Sequence, residues 1–81
     1  MIYWQDYVND CVYRKDDNGS YYVKTLNNYH NEVNLSEKQF EESTRQGYGV
    51  TSFLEPIDKE SYDTFGVKWR WSWKTGEKVF L

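Results

Sequence analysis

Alanine is absent from this 81-residue chain, and cysteine, proline, histidine and methionine occur once each. Without its strongest helix former, and with Tyr, Val, Thr and Trp plentiful, the chain favours strands over long helices. A solitary Cys11 excludes an intramolecular disulfide and any cysteine-based zinc site. No stretch approaches the roughly 18 apolar residues of a membrane span. The opening Met-Ile-Tyr-Trp-Gln-Asp-Tyr lacks the basic start and apolar run of a signal peptide. A cytoplasmic setting without membrane contact is expected.

Chemical motifs are missing as well. There is no Gly-rich phosphate loop, dinucleotide fingerprint or paired metal spacing, so neither enzyme activity nor a cofactor or metal is expected. Asp16-Asp17-Asn18-Gly19 lacks the alternating ligands and distant bidentate Glu of a calcium loop and reads as a turn. His30 has no nucleophile motif beside it. Glu32 would orient it as a base only if the loop folded back, so a solvated loop is expected.

Sixteen aromatics stand against two Ile, four Leu and seven Val. A domain of this size buries about two-thirds or less of its unfolded surface, so the core must be rich per residue. Aromatic side chains, each burying about 150–250 Å², must supply it. There is room for one domain, and no linker or repeat divides it.

The most ordered stretch is residues 66–81, with three of the four tryptophans and four of the ten basic side chains. Alternation sends Val67, Trp69, Trp71 and Trp73 to one side of a strand and Lys68, Arg70, Ser72 and Lys74 to the other. The tryptophan side is expected to bury. A two-residue turn at Thr75-Gly76 would pair Lys74 with Glu77 and Trp71 with Phe80, and is favoured because a three-residue loop would set the like charges Lys74 and Lys78 opposite each other.

A second hairpin is expected over about 11–26, turning at Asp16–Gly19. A two-residue loop would mix charged and apolar groups on both faces. A four-residue loop pairs Tyr13 with Tyr22 and Val12 with Val23 and lays Arg14 over Tyr21, so the longer loop is favoured. Leu26 to Glu32 reads as a polar connection. Ser36 and Gln39 form a capping box, with Leu35 and Phe40 as its hydrophobic staple. A short helix over about 37–46 should follow and stop at Gly47. Phe40 is its single large apolar residue, which makes it a cover on the sheet rather than a core helix. Tyr48 to Leu54 suits a strand ended by Pro56. Ile2 to Val12 fits a helix or a strand, and Asp58 to Phe65 a helical turn or a loop. The fold class is α+β: a small, mainly antiparallel sheet with two hairpins and one short helix packed on it.

Net charge is −3 but uneven. Residues 1–66 carry twelve acids against six bases, and residues 67–81 four bases against one acid. Such a dipolar molecule meets charged partners in a steered, salt-sensitive way. Asp6, Asp10, Asp16, Asp17, Glu37, Glu41 and Glu42, gathered on one surface, would imitate a phosphate array; solvated faces that keep a small protein soluble are the favoured reading. Lys68, Arg70, Trp71 and Lys74 would form a basic, aromatic contact face.

No family is identified by motif. In size, charge and lack of catalytic residues the chain resembles the short, acidic, aromatic-rich proteins with which phages and other mobile elements block host enzymes, anti-CRISPR proteins among them. The resemblance implies a non-enzymatic inhibitor, in the host cytoplasm if phage-encoded. It would occlude a nucleic-acid-handling or defence complex. Its expected contacts are Asp16, Asp17, Glu37, Glu41, Glu42, Lys68, Arg70, Trp71 and Lys74. The alternative is a nucleic-acid- or glycan-binding domain that stacks its ligand on Trp69, Trp71 and Trp73 beside Arg70. An enzyme using His30 or Cys11 is a third class. Either a monomer or a homodimer fits the sequence.

Overall fold

The computed structural model describes residues 1–6, 10–44, 54–72 and 77–81, with Trp71 by its backbone alone. Four strands, β1 (Ile2–Asp6), β2 (Cys11–Lys15), β3 (Tyr21–Thr25) and β4 (Val33–Leu35), pair antiparallel in succession. The two-residue β5 (Glu55–Pro56) joins β1 on its far side, giving the order β4-β3-β2-β1-β5. Two helices, α1 (Glu37–Thr44) and α2 (Lys59–Thr64), and a separate hairpin, β6 (Trp69–Trp71) with β7 (Lys78–Phe80), complete the described fold. The opening segment is therefore a strand, and Asp58 to Phe65 contains a helix. Among the described residues no helix is long and apolar enough to cross a membrane.

Both faces of the sheet are covered. On one, Trp4 and Tyr13 stand opposite each other and Tyr21 lies diagonally beyond. Phe40 of α1 packs on all three at ring-centroid distances of 5.4, 5.3 and 4.2 Å. Each such aromatic pair adds about 0.5–1.5 kcal/mol beyond its buried area, which lets one phenyl ring hold the helix. The capping box forms as expected: Gln39 N–H donates to Ser36 Oγ (3.1 Å) and Ser36 N–H to Gln39 Oε1 (2.8 Å). Glu37, Glu41 and Glu42 are exposed, as befits a cover. The expected end of α1 at 45–47 and most of the strand expected over 48–54 lie outside the described residues.

On the other face Val12, Tyr62, Phe65 and Trp69 form the buried cluster, with Tyr3, Leu26, Tyr29 and Ile57 packed against it. A six-residue helix such as α2 is too short to persist alone. Its ends are tied instead. Asp58 caps the N-terminus by accepting from Ser61 N–H at 2.8 Å. The late carbonyls take side-chain donors, Lys24 Nζ on Tyr62 O and the Trp69 indole on Ser61 O, both at 2.8 Å. Leu26 to Glu32 is accordingly more than a polar connection, because Leu26 and Tyr29 seal this core.

The β2–β3 register departs from expectation by one residue, with Tyr13 opposite Val23 and Arg14 opposite Tyr22. The turn decides it. Asp16 N–H donates to Ser20 O (3.0 Å), Gly19 N–H donates to Asp16 O (3.1 Å), and Gly19 has φ +89°. A three-residue loop with a left-handed glycine carries the extra residue as a bulge. A one-residue shift exchanges faces, so Tyr21 meets Phe40 while Tyr22 receives Arg14, whose Cζ lies 3.9 Å from the ring centroid.

In the β6–β7 hairpin the expected Trp71–Phe80 pairing is corrected to Trp71–Lys78 and Trp69–Phe80, and Ser72 N–H donates to Glu77 O (2.8 Å). The Thr75-Gly76 turn and Lys74 lie outside the described residues. The alternation also begins later than expected. Gly66, Val67 and Lys68 form a turn closed by Gly66 N–H on Trp69 O (2.7 Å), leaving Val67 59% exposed. Pro56 sits within edge strand β5, opposite Trp4, where its missing N–H costs no ladder bond.

Candidate functional site

A constellation of charged side chains lines an open cleft of about 230 Å³ over the α2 side of the sheet. Strand β2 delivers Arg14, the segment before β4 delivers Glu32, and α2 delivers Lys59, Tyr62 and Asp63. Arg14 grips Glu32 with two parallel bonds, Nε–Oε1 at 2.6 Å and Nη2–Oε2 at 2.8 Å. Tyr62 donates its phenol to the same carboxylate at 2.7 Å. Lys59 pairs with Asp63 one turn along α2. Burial pushes the Lys24 ammonium down and the Tyr62 phenol up.

Chemically this cleft is a clamp. A general base needs a carboxylate with basicity to spare. The Arg14 hydrogen bonds hold Glu32 below the ordinary glutamate value of 4.5, and Tyr62 lowers it further. Glu32 is thereby engaged away from His30, which is exposed with its ring tilted over Tyr29 at 4.1 Å. Cys11 is 2% exposed and its thiol is pushed up to about 12, chiefly by burial, so it is a protonated core group.

The clamp makes an acid-side prediction. A carboxylate whose folded pKa lies below its unfolded one contributes stability above the unfolded value and loses it as pH falls through the folded one. Glu32→Gln should cost about 1–2 kcal/mol at pH 7, allowing for solvent screening. That difference should shrink as pH falls below the ordinary glutamate value of 4.5 and through the lower folded one. Urea denaturation of both proteins across that range checks it; a gap that stays constant with pH would show that the charge of Glu32 is not what stabilises.

The residues singled out in the sequence divide among three places. Glu37, Glu41 and Glu42 stand exposed on α1, on one side of the five-stranded sheet. Lys68 and Arg70 stand exposed on the hairpin whose Trp69 packs on the other side. Asp16 and Asp17 occupy the β2–β3 turn, where Asp16 Oδ1 accepts from Asn18 and Ser20 N–H and Asp17 pairs with the Met1 ammonium at 2.8 Å. Asp6 is fully buried and belongs to no surface array. The structure thus gathers no single acidic face from the full set. Trp69, 2% exposed, cannot serve as a stacking platform; the Trp71 side chain, Trp73 and Lys74 lie outside the described residues.

The sequence reading did not single out the apolar edge of the hairpin. Val79, Phe80 and Leu81 are 42%, 75% and 69% exposed. Leu81 N–H donates to Lys68 O (2.8 Å) and Arg70 pairs with Val79, which sets these apolar residues beside the two cations. Among the described residues neither Lys68 nor Arg70 forms an ion pair.

The class defined here is a small α+β protein: a five-stranded antiparallel sheet covered by a helix on one face and by a helix and hairpin on the other. Comparison with known proteins adds no further assignment, since no family model, curated protein or solved structure matches the chain.

Proposed function

We propose that this chain is a non-enzymatic protein-binding module whose principal contact surface is the β6–β7 hairpin. The supporting observation is the exposed set Val67, Val79, Phe80 and Leu81 beside the exposed Lys68 and Arg70. In a fold so short of aliphatic side chains, apolar groups spent on the surface are informative. Contiguous exposed apolar groups rimmed by polar ones characterise interaction sites. Aromatic and Arg anchors dominate interface energetics, and Phe80 with Arg70 supplies both types.

The exposed carboxylates of α1 support a second reading. Glu37, Glu41 and Glu42 would meet a basic channel, as an inhibitor of a nucleic-acid-handling or defence complex would. In this finer form the chain acts in the manner of the anti-CRISPR-type proteins it resembles. Direct nucleic-acid or glycan binding loses one of its three expected stacking tryptophans with the burial of Trp69.

The test is affinity capture from source-cell lysate with the parent protein, a Phe80→Ala/Arg70→Glu variant and a Glu37→Lys/Glu41→Lys variant, each first checked for cooperative unfolding. A stoichiometric protein lost only in the hairpin variant supports the principal reading. Loss only in the α1 variant transfers the function to the acidic face. Capture of nucleic acid alone, salt-sensitive and lost in the hairpin variant, overturns both.

A further inference from the structure

We propose that β7 is an open docking edge to which an extended protein segment, with carboxylates on alternate residues, adds as a third strand. The inference rests on the hairpin being the contact surface and assigns the mode of contact. In an antiparallel ladder, residues exchanging both backbone bonds alternate with residues whose N–H and C=O point outward. Here Ser72 bonds Glu77 and Leu81 bonds Lys68, so the intervening bonded pair is Arg70 with Val79. The N–H and C=O of Lys78 and Phe80 therefore face away from β6. No strand lies beyond β7 among the described residues.

The other described sheet edges are managed differently. Edge strands are normally blunted by proline or charge. Strand β5 contains Pro56, and β4 is flanked by Glu32 and Glu37. The one charge within β7 is turned inward: Lys78 Nζ donates to Ser61 Oγ at 3.0 Å and lies 4.7 Å from the Trp69 ring centroid. The edge is left unguarded and apolar at Val79 and Phe80.

Charge selects the occupant. Arg70 and Val79 share one face of the hairpin, and Trp69 and Phe80 share the other. An added strand would place alternate side chains beside Val79, on the face that carries Arg70, and the rest beside Phe80. Carboxylates suit the first set and apolar groups the second. A second copy of this chain would instead bring its own Lys68 and Arg70 to a face that already carries that charge. Strand addition draws affinity from main-chain bonds and specificity from alternate side chains.

The probe is a blocked seven-residue peptide alternating glutamate with valine and phenylalanine, beside its lysine counterpart, titrated into the isotopically labelled protein. The glutamate peptide should shift the Lys78, Val79 and Phe80 amides and slow hydrogen exchange at Lys78 and Phe80, while the lysine peptide should not. Phe80→Ala removes the ring alone; Phe80→Pro also removes the outward N–H, at an edge position and after a residue already extended. Proline should therefore bind about three- to tenfold more weakly than alanine, the worth of one backbone hydrogen bond. Equal binding by both substitutions, equal binding of both peptides, shifts centred on 33–35, no binding at millimolar peptide, or dimerisation of the free protein through β7 would each overturn strand addition. If the captured partner still depends on Phe80 and Arg70 in those cases, the module reading stands and only its mode fails.

Discussion

Trp69→Ala removes the side chain that joins the hairpin to the sheet, and most of the stability of the fold should go with it. Trp69 is 2% exposed, packs edge-on to Phe65 at 5.0 Å, and donates its indole N–H to Ser61 O at 2.8 Å. A buried Trp→Ala change costs about 3–5 kcal/mol in lost transfer energy and cavity. Small domains have only about 5–15 kcal/mol in total, and 81 residues place this one towards the lower end. Thermal unfolding followed by circular dichroism should show Tm lowered by about 12–40 °C. Trp69→Phe keeps much of the apolar volume but leaves Ser61 O without the indole donor, and should fall between the two. A loss of under about 1 kcal/mol for alanine would mean that the cluster around Val12 holds without the hairpin. That outcome would also detach the proposed docking edge from the rest of the fold.

That tryptophan was legible in the sequence because strand alternation is local and period two is easily read. The Ser36–Gln39 capping box was legible for the same reason, its atoms lying three residues apart. Hairpin registers were not. In β6–β7 the observed pairing differs from the expected one by two positions, and such a shift leaves every side chain on its face, so hydrophobic pattern cannot distinguish the two. In β2–β3 the left-handed Gly19 sets the loop length, and cross-strand pair preferences of about 0.2–1 kcal/mol do not override it.

The candidate site divides in the same way. Exposure of Arg70 followed from alternation, whereas the clamp spans 18 residues from Arg14 to Glu32 and 30 from Glu32 to Tyr62. No spacing rule links such positions. Asp58 three residues before Ser61 was a usable helix-start signal, but without Glu or Gln at the third position it is weaker than the box at Ser36. Exposure of Val79 and Phe80 depends on where the second strand of the hairpin lies against α2. Alternation alone would have buried Phe80 alongside Trp69.

Gly66→Ala should be the most damaging change that removes no atom. Gly66 has φ +82°, a region that costs a residue with a Cβ about 1–2 kcal/mol. Its surroundings add a steric cost, since a Cβ placed there would overlap Tyr29 Cγ and lie 2.7 Å from Tyr29 Cβ. Tyr29 packs against the buried cluster, so its ring can yield only by opening that core. Overpacking of this kind costs about 1–3 kcal/mol, bringing the expected loss to about 2–5 kcal/mol by urea denaturation. Gly19→Ala separates the two contributions, because Gly19 has φ +89° but nothing within 4 Å of an added Cβ. It should show the conformational cost alone. In a Tyr29→Ala background the Gly66 substitution should shrink towards the Gly19 value, a coupling that a double-mutant cycle measures directly. If Gly66→Ala costs no more than Gly19→Ala in the parent protein, Tyr29 is not held against the turn. The reading of residues 26–32 as part of the core would then fail with it.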